Sequence, residues 1–368
     1  MKKQFQFGQY KSTVHIQNDI PGITQIVKDN SANENSCILI CDTNTKTFAD
    51  KIKGDKQIPL CVLNSGEETK TWQSVETILR ITKESGLGRD SLVIGVGGGV
   101  VTDMAAFAAS IYMRGVSLAL VSTTLLGMAD AALGGKTGID LFNIKNIAGS
   151  FYPARSVYMP VSALSTLPLR EWKSGLAEIV KTAILNNSID NAKTYNLYLK
   201  LPDVMKNNFP SAANDIILPL IEDAVCYKGR IVEADPKETG GKRVLLNLGH
   251  TFAHALESTA GLGALSHGEA VAWGIVCACK LGVTLNITPK QRAEKICSLI
   301  KELSYQISMP HPELLDIKEY MKALNSDKKK KQDGFNFVLP SKKSAVVYKI
   351  DNDKMALIEK IVSGGSGV

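Results

Sequence analysis

No stretch of the 368-residue sequence approaches the roughly 20 consecutive apolar residues that a membrane helix needs. The opening MKKQFQFGQYK lacks the apolar core of a secretory signal. None of the seven cysteines forms a CxxC pair, zinc-finger spacing is absent, and no RNA-binding aromatic signature occurs. These absences argue against a membrane protein, a disulfide framework and a nucleic-acid binder. They lead to the expectation of a cytoplasmic protein whose cysteines are reduced core residues. The net charge of +7 leans basic, but part of it is local: SDKKKKQDG, Ser326 to Gly334, holds four lysines in a row. A solvated loop accounts for most of them, and one lysine reaching an anionic substrate is the alternative.

With 44% hydrophobic and 21% charged residues, the chain has the composition of ordinary buried cores, and its length suits two domains. The first half alternates short apolar runs with helical patterns. CILICD, IPLCVLN, SLVIGVGGG and SLALVSTT read as strands, and TWQSVETILRITKESG and VVTDMAAFAASIYMRG as helices between them. Such alternation implies a parallel sheet covered on both faces. From about Pro160 long helical patterns dominate, among them LPLREWKSGLAEIVKTAIL and GEAVAWGIVCACKLGV. The fold class expected is α/β: a parallel-sheet dinucleotide-binding domain over residues 1–158, a mainly α-helical metal-binding domain over 159–362, and a flexible tail over 363–368. Ligands of such sheets sit at the carboxyl ends of the strands, so the cleft between the halves is where chemistry is expected.

VIGVGGGVVTD, Val93 to Asp103, is a strand, three glycines and a helix start. Glycine lets the backbone approach a pyrophosphate, and the helix offers unpaired N–H groups. The cluster is not GxGxxG, and a tight turn explains it equally well. Asp42 and Asn44 after the first strand, and Thr123 and Thr124 after the fourth, add groups suited to ribose or phosphate at the same edge. ADAALGGKTGIDLFNIKN contains GGKT, but the spacing of a Walker A loop is absent because Asp130 stands five before Gly135. What remains is a glycine-punctuated loop carrying Asp130, Lys136, Lys145 and Asn146, charged and polar groups for an oxygen-rich anion.

In the second half, Glu178 lies on an apolar helix face where a carboxylate needs a partner, with Lys181 one turn on. A Glu178–Lys181 surface pair is the plain reading. The alternative joins Glu178 to histidines of NLGHTFAHALES and LSHGEAV, and three histidines within eighteen residues, of five in all, favour it. One carboxylate and two imidazoles leave zinc open positions, the mark of a catalytic site. His250 and His254 share a helix face, so spacing does not decide which of them joins His267. Lys228, Arg243 and Asn247 precede them, suited to a phosphate.

Together, GEETK, GGGVVTD, STTLL, GGKTGID, KN, GLAEIVK, LLNLGHTFAHALE and HGEAVA, spread from about residue 40 to 275, resemble the motifs of the 3-dehydroquinate synthase family, in that family's order. The resemblance implies an NAD-binding domain followed by a helical domain holding Zn2+ or Co2+. It implies metal ligands at Glu178, His250 and His267, and a substrate-phosphate role for His254. NAD contacts would fall on Asp42, Asn44, Glu67, Lys70, Gly98, Gly99, Asp103, Thr123, Thr124 and Thr166, with Lys136 and Lys145 near the cofactor–substrate junction. Asp130, Asn146, Lys181, Lys228, Arg243 and Asn247 match substrate positions, and Lys329 stands for a late active-site lysine. Thr102 and Ser122 depart from the family's usual glycine and proline, and DPKETGGKR is one residue longer, so Lys228 is placed by counting from Asp235.

The implied substrate is 3-deoxy-D-arabino-heptulosonate 7-phosphate, and the products are 3-dehydroquinate and phosphate. The implied course is transient oxidation by NAD, phosphate elimination, re-reduction and intramolecular aldol closure, an early step of the shikimate pathway to aromatic amino acids. The expected partner is this phosphorylated sugar acid, with no nucleic acid and no membrane, in a homodimer. A metal-dependent polyol dehydrogenase, a sibling sugar-phosphate cyclase and an inactive scaffold are the competing readings. The intact GGKTG argues against the sibling cyclase.

Overall fold

The computed structural model describes residues 1–142, 144–206, 214–261, 264–310, 316–328, 335–351 and 354–364. Two compact units divide the chain: Met1–Pro168 with Lys228–Lys237, and Leu169–Tyr227 with Glu238–Val368. Lys329, Lys330 and Lys331 lie outside the described residues.

The first unit is built on a seven-stranded sheet in the order β1-β2-β9-β6-β5-β3-β4. Its strands are β1 (Lys2–Phe7), β2 (Tyr10–Gln17), β3 (Cys37–Asp42), β4 (Leu60–Leu63), β5 (Leu92–Gly97), β6 (Ser117–Ser122) and β9 (Ser156–Pro160). All neighbours pair parallel except β1 with β2. Helices α1 (Ile23–Asn30), α2 (Lys46–Lys53), α3 (Trp72–Glu84) and α4 (Gly99–Ile111) connect the strands. The parallel α/β plan read from the alternating runs is therefore the one observed. Strands buried on both faces read as unbroken apolar runs, as β3 and β5 do, and Leu39, Ile94, Val96 and Val121 are buried together with Ile26, Ile52 and Tyr158 in one core cluster.

Residues 136–151 differ from the loop expected there. They form an antiparallel hairpin, β7 (Lys136–Leu141) with β8 (Ile144–Phe151), with a register shift between Ile139 and Leu141. The hairpin exists because Gly138 and Gly149 let the two backbones close: a Cβ on Gly149 would stand 1.9 Å from Thr137 O.

The second unit is mainly helical, with α5 (Leu169–Leu185), α6 (Ala192–Lys206), α8 (His250–Ala260), α9 (His267–Thr284), α10 (Lys290–Glu302), α11 (Ile317–Lys328) and α12 (Met355–Val362) beside the hairpin β10 (Phe335–Pro340) and β11 (Ala345–Ile350). Helix α7 (Asn214–Ala234) enters this unit, and its residues from Lys228 onward belong to the first. Helix α9 is apolar nearly all round and is the element that α5, α8, α10, α12 and β10 pack against. Phe252, Trp273, Tyr320 and Phe337 fill the space beside it, with the Tyr320 hydroxyl donating to Phe252 O at 3.1 Å. No helix among the described residues is long and apolar enough to cross a membrane.

Candidate cofactor edge and metal centre

In the first unit the sheet order reverses between β3 and β5: β4 follows β3 to one side and β5 lies on the other. A doubly wound sheet opens its crevice at such a point, beyond the carboxyl ends of the strands. Asp42 ends β3, Gly97 ends β5, and Thr123 and Thr124 follow β6 at the same edge. Gly98 is the N-cap of α4 and makes no side-chain cap hydrogen bond to its first-turn N–H groups. A Cβ on Gly97 would come within 2.7 Å of Val101, so the glycine lets α4 sit tight on its own strand. Thr102 keeps the helix start intact because its hydroxyl donates back to Gly98 O and Gly99 O at 3.1 Å.

Beside this helix, Lys70 is buried and its Nζ donates to Asp103 Oδ2 and Asn146 Oδ1, each at 2.6 Å. Burial pushes the Asp103 carboxyl up, and Lys70 opposes that shift. Asn146 takes a left-handed backbone (φ 54°), and its N–H donates to Asp140 Oδ1 at 2.7 Å. Lys228 is likewise buried, and Nζ donates to Asp130 Oδ1 at 2.7 Å. Asp42 Oδ1 accepts from Thr45 N and Oγ1, so that oxygen shapes the turn into α2. Glu67 stands half-buried in a short helical turn three residues before Lys70, whereas Asn44, Lys136, Lys145 and Thr166 are exposed.

In the second unit Glu178, His250 and His267 each place one ligand atom within 4.8 Å of the others. Two glycines of α9 produce this convergence. A Cβ on Gly268 would fall 2.5 Å from Ser174 Cα of α5, and one on Gly274 would fall 2.1 Å from Gly249 O at the start of α8. A Ser266–Glu269 capping box fixes where α9 begins, and so where His267 points. Glu178 Oε1 lies 3.4 Å from His250 Nε2 and 3.3 Å from His267 Nε2. Donor atoms about 2.0–2.1 Å from one tetrahedral zinc ion stand about 3.3 Å apart. Both Glu178 oxygens are buried, and neither meets hydrogen-bond geometry with a donor. Oxygens left in that state, facing two imidazoles at ligand-to-ligand spacing, fit a divalent metal.

Lys181 touches Glu178 one turn along α5, and the pair is 2% and 1% exposed, not the surface pair of the plain reading. Burial opposes the Glu178 charge, but Lys181 and the two imidazoles outweigh it and hold the carboxyl well below the usual range. Burial and then Lys181 push His250 down to about 3. Burial also opposes a charge on His267, yet the neighbouring Glu178 and Glu257 carboxylates raise it to about 10. His254 is exposed, with its ring 5.3 Å from that of His250. Arg243 is buried and Asn247 half-buried on a 3-10 turn that packs against α5.

Two family models match the chain, 3-dehydroquinate synthase N-terminal over residues 60–174 and 3-dehydroquinate synthase C-terminal over 175–330. The chain belongs to the 3-dehydroquinate synthase family. A 3-dehydroquinate synthase of Prochlorococcus marinus (strain MIT 9303) is 39% identical over 283 residues, 77% of this chain and 73% of that one. Among solved structures, a 2-deoxy-scyllo-inosose synthase complexed with carbaglucose-6-phosphate, NAD+ and Co2+ matches with a TM-score of 0.83 at 23% identity, covering 100% of both chains. A 2-epi-5-epi-valiolone synthase from Streptomyces hygroscopicus with NAD+ and Zn2+ bound matches with a TM-score of 0.81 at 24% identity over 95% of each chain.

The structure brings one further side chain to the cluster, which the sequence did not single out although it closes the motif LLNLGHTFAHALE. Glu257 Oε1 lies 3.2 Å from His267 Nδ1. Its signal was available in HALES: Glu257 stands seven residues, two turns, beyond His250 on one helix face. The approach of α9 that gives the position its meaning was not.

Proposed function

We propose that this chain converts 3-deoxy-D-arabino-heptulosonate 7-phosphate into 3-dehydroquinate and phosphate, using NAD and one Zn2+ or Co2+ ion. The convergence of Glu178, His250 and His267 in a member of this family carries the reading. The first unit is the NAD-binding part, and the second holds the metal and much of the substrate machinery. When bound, NAD supplies a reversible hydride acceptor. When bound, the divalent ion supplies a Lewis acid for substrate hydroxyls.

The chain's own side chains provide position and charge. Glu178, His250 and His267 hold the ion, and Lys181 balances the buried carboxylate while presenting a donor to a hydroxyl or carboxylate. Arg243, Asn247, His254 and Lys228 are the proposed phosphate anchors, since a dianion's departure needs its charge met. Asp130 accepts from a substrate hydroxyl. Gly98, Gly99, Thr123 and Thr124 bind the dinucleotide at the sheet edge, with Asp42, Asn44, Glu67, Lys70, Asp103 and Thr166 around it. Lys136, Lys145 and Asn146 serve the junction of cofactor and substrate. Lys329 is proposed as a late active-site lysine on sequence alone.

We place the protein in the cytoplasm as a homodimer. Phe142 (87% exposed), Ile144, Ile147 and Phe151 leave large apolar side chains exposed on the β7–β8 hairpin, which supports an interface there. The deciding assay incubates the protein with the heptulosonate phosphate, NAD and zinc, and follows phosphate release and NADH absorbance together. Phosphate without accumulating NADH is the expected result. NADH without phosphate would replace this reading with a dehydrogenase.

A further inference from the structure

The two imidazoles of the metal cluster are oriented by different means. His250 Nδ1 faces a backbone oxygen, Leu248 O, at 3.2 Å. His267 Nδ1 faces a side chain, Glu257 Oε1, at the same separation. In both rings the other nitrogen, Nε2, points at Glu178 Oε1. Helix α8 thus supplies the cluster twice: His250 at its first turn, and Glu257 two turns later on the same face, reaching the histidine of α9. Glu257 is 19% exposed in its side chain and His267 30%, so the contact is shielded but not sealed.

A ligating imidazole binds metal through one nitrogen only when the proton is on the other, and an acceptor at that second nitrogen fixes both the tautomer and the ring plane. A carboxylate there also makes the ligand more basic. We infer that Glu257 is a positioning residue for the metal: it accepts the Nδ1–H of His267, holds Nε2 toward the ion, and sets the affinity of the site. It touches neither substrate nor the ion. This rests on the metal reading above and deepens it. The hydrogen bond constrains His267 more than Ser266 and Glu269 do, because those fix the backbone at the start of α9 whereas Glu257 fixes the ring.

The test is zinc affinity by chelator competition on the purified full chain, with wild type, Glu257→Gln and Glu257→Leu. Leucine keeps the bulk and removes the acceptor, and a loss of about 10- to 100-fold is expected. Glutamine keeps an acceptor oxygen without the charge, so it should recover part of that loss. The Co2+-loaded absorption spectrum should shift in Glu257→Leu and stay near wild type in Glu257→Gln, which a purely structural defect would not produce. Melting temperatures of the zinc-free proteins should agree, with the zinc-dependent increment shrinking in step with affinity. If Glu257→Leu does not fold, the glutamine variant decides, since any loss of affinity at unchanged zinc-free stability supports the inference. Wild-type affinity in every folded variant overturns the inference and leaves the metal site standing. A wild-type chain that binds no zinc or cobalt overturns the metal reading itself.

Discussion

Lys228 Nζ donates to Asp130 Oδ1 at 2.7 Å, joining the last third of α7 to the turn that follows β6. Both residues were singled out as substrate groups, Lys228 by counting from Asp235 because the segment between Asp235 and Arg243 is one residue longer than the family's. Here they are partners, which makes each the other's counter-charge while substrate is absent. Lys228 is 6% exposed, and its Nζ also donates to the Asp130 backbone O at 2.5 Å, a bond that a substitution at position 130 keeps.

Lys228→Met is accordingly expected to lower kcat/KM by roughly 10²-fold or more, the scale at which a displaced positioning group acts. Asp130→Asn should lower it less, because the amide oxygen still accepts from Lys228. Steady-state kinetics with phosphate release as the readout would separate the two. Zinc content should be unchanged in both, because neither residue belongs to the second unit's cluster.

The two histidines of α8 have different surroundings despite sharing a face. His250 turns Nε2 to Glu178, whereas His254 is exposed. His250→Ala should lose zinc and turnover together. His254→Ala should keep most of its zinc and still lose activity, through a raised KM or a lowered kcat. Metal analysis of the two purified variants checks this, and equal zinc loss would refute the split.

Much of this was legible in the chain and some was not, for reasons that lie in particular residues. Strands β3, β5 and β6 are buried on both faces, so their apolar runs announce them, and the helices of the second unit carry clear periodicity. The β1–β2 hairpin alternates polar and apolar residues at an edge and gave no comparable run. The stretch from Lys136 to Phe151 reads as a loop because its glycines, which permit strand-to-strand contact, are also loop residues. In the metal cluster, residue types pointed to Glu178, His267 and one of His250 and His254, and the family resemblance chose His250. Gly268 and Gly274 were silent because each matters only through the helix packed against it, and Glu257, although on the face of His250, gains its meaning only from the approach of α9.

Lys70 is 4% exposed and meets both Asp103 and Asn146. Lys70→Met would strand Asp103, whose side chain is 19% exposed, without its cation. Breaking a buried pair from one side costs about 3–5 kcal/mol, and the partial exposure of Asp103 favours the lower end. Urea unfolding of the first unit should therefore show a loss of about 3 kcal/mol. Lys70→Arg should recover part of it. If Lys70 also meets the dinucleotide, NAD binding should weaken in both variants, most in the methionine one, as measured by titration calorimetry.

The end of α5, the helix that carries Glu178, is tied down by Arg292 and Asp190. Arg292 donates to Ile184 O at 3.1 Å, to Asn187 Oδ1 at 2.8 Å and to Asp190, and Lys295 donates to Asp190 Oδ1 at 2.9 Å. Burial works against the Asp190 charge, but the hydrogen bond from Lys295 and the charge of Arg292 prevail and hold its carboxyl below the usual range. A folded-state value below the unfolded one stabilises the protein above the unfolded pKa of about 3.9, and that contribution is lost as pH falls through the folded value. Asp190→Asn should therefore destabilise by about 1 kcal/mol at pH 7, since solvent screens a carboxylate that is 35% exposed. The gap to wild type should narrow as pH drops below about 4, where wild-type Asp190 also becomes neutral. Thermal unfolding of both proteins across that range checks the sign. A gap that stays constant into acid would mean that Asp190 stabilises by packing rather than by charge.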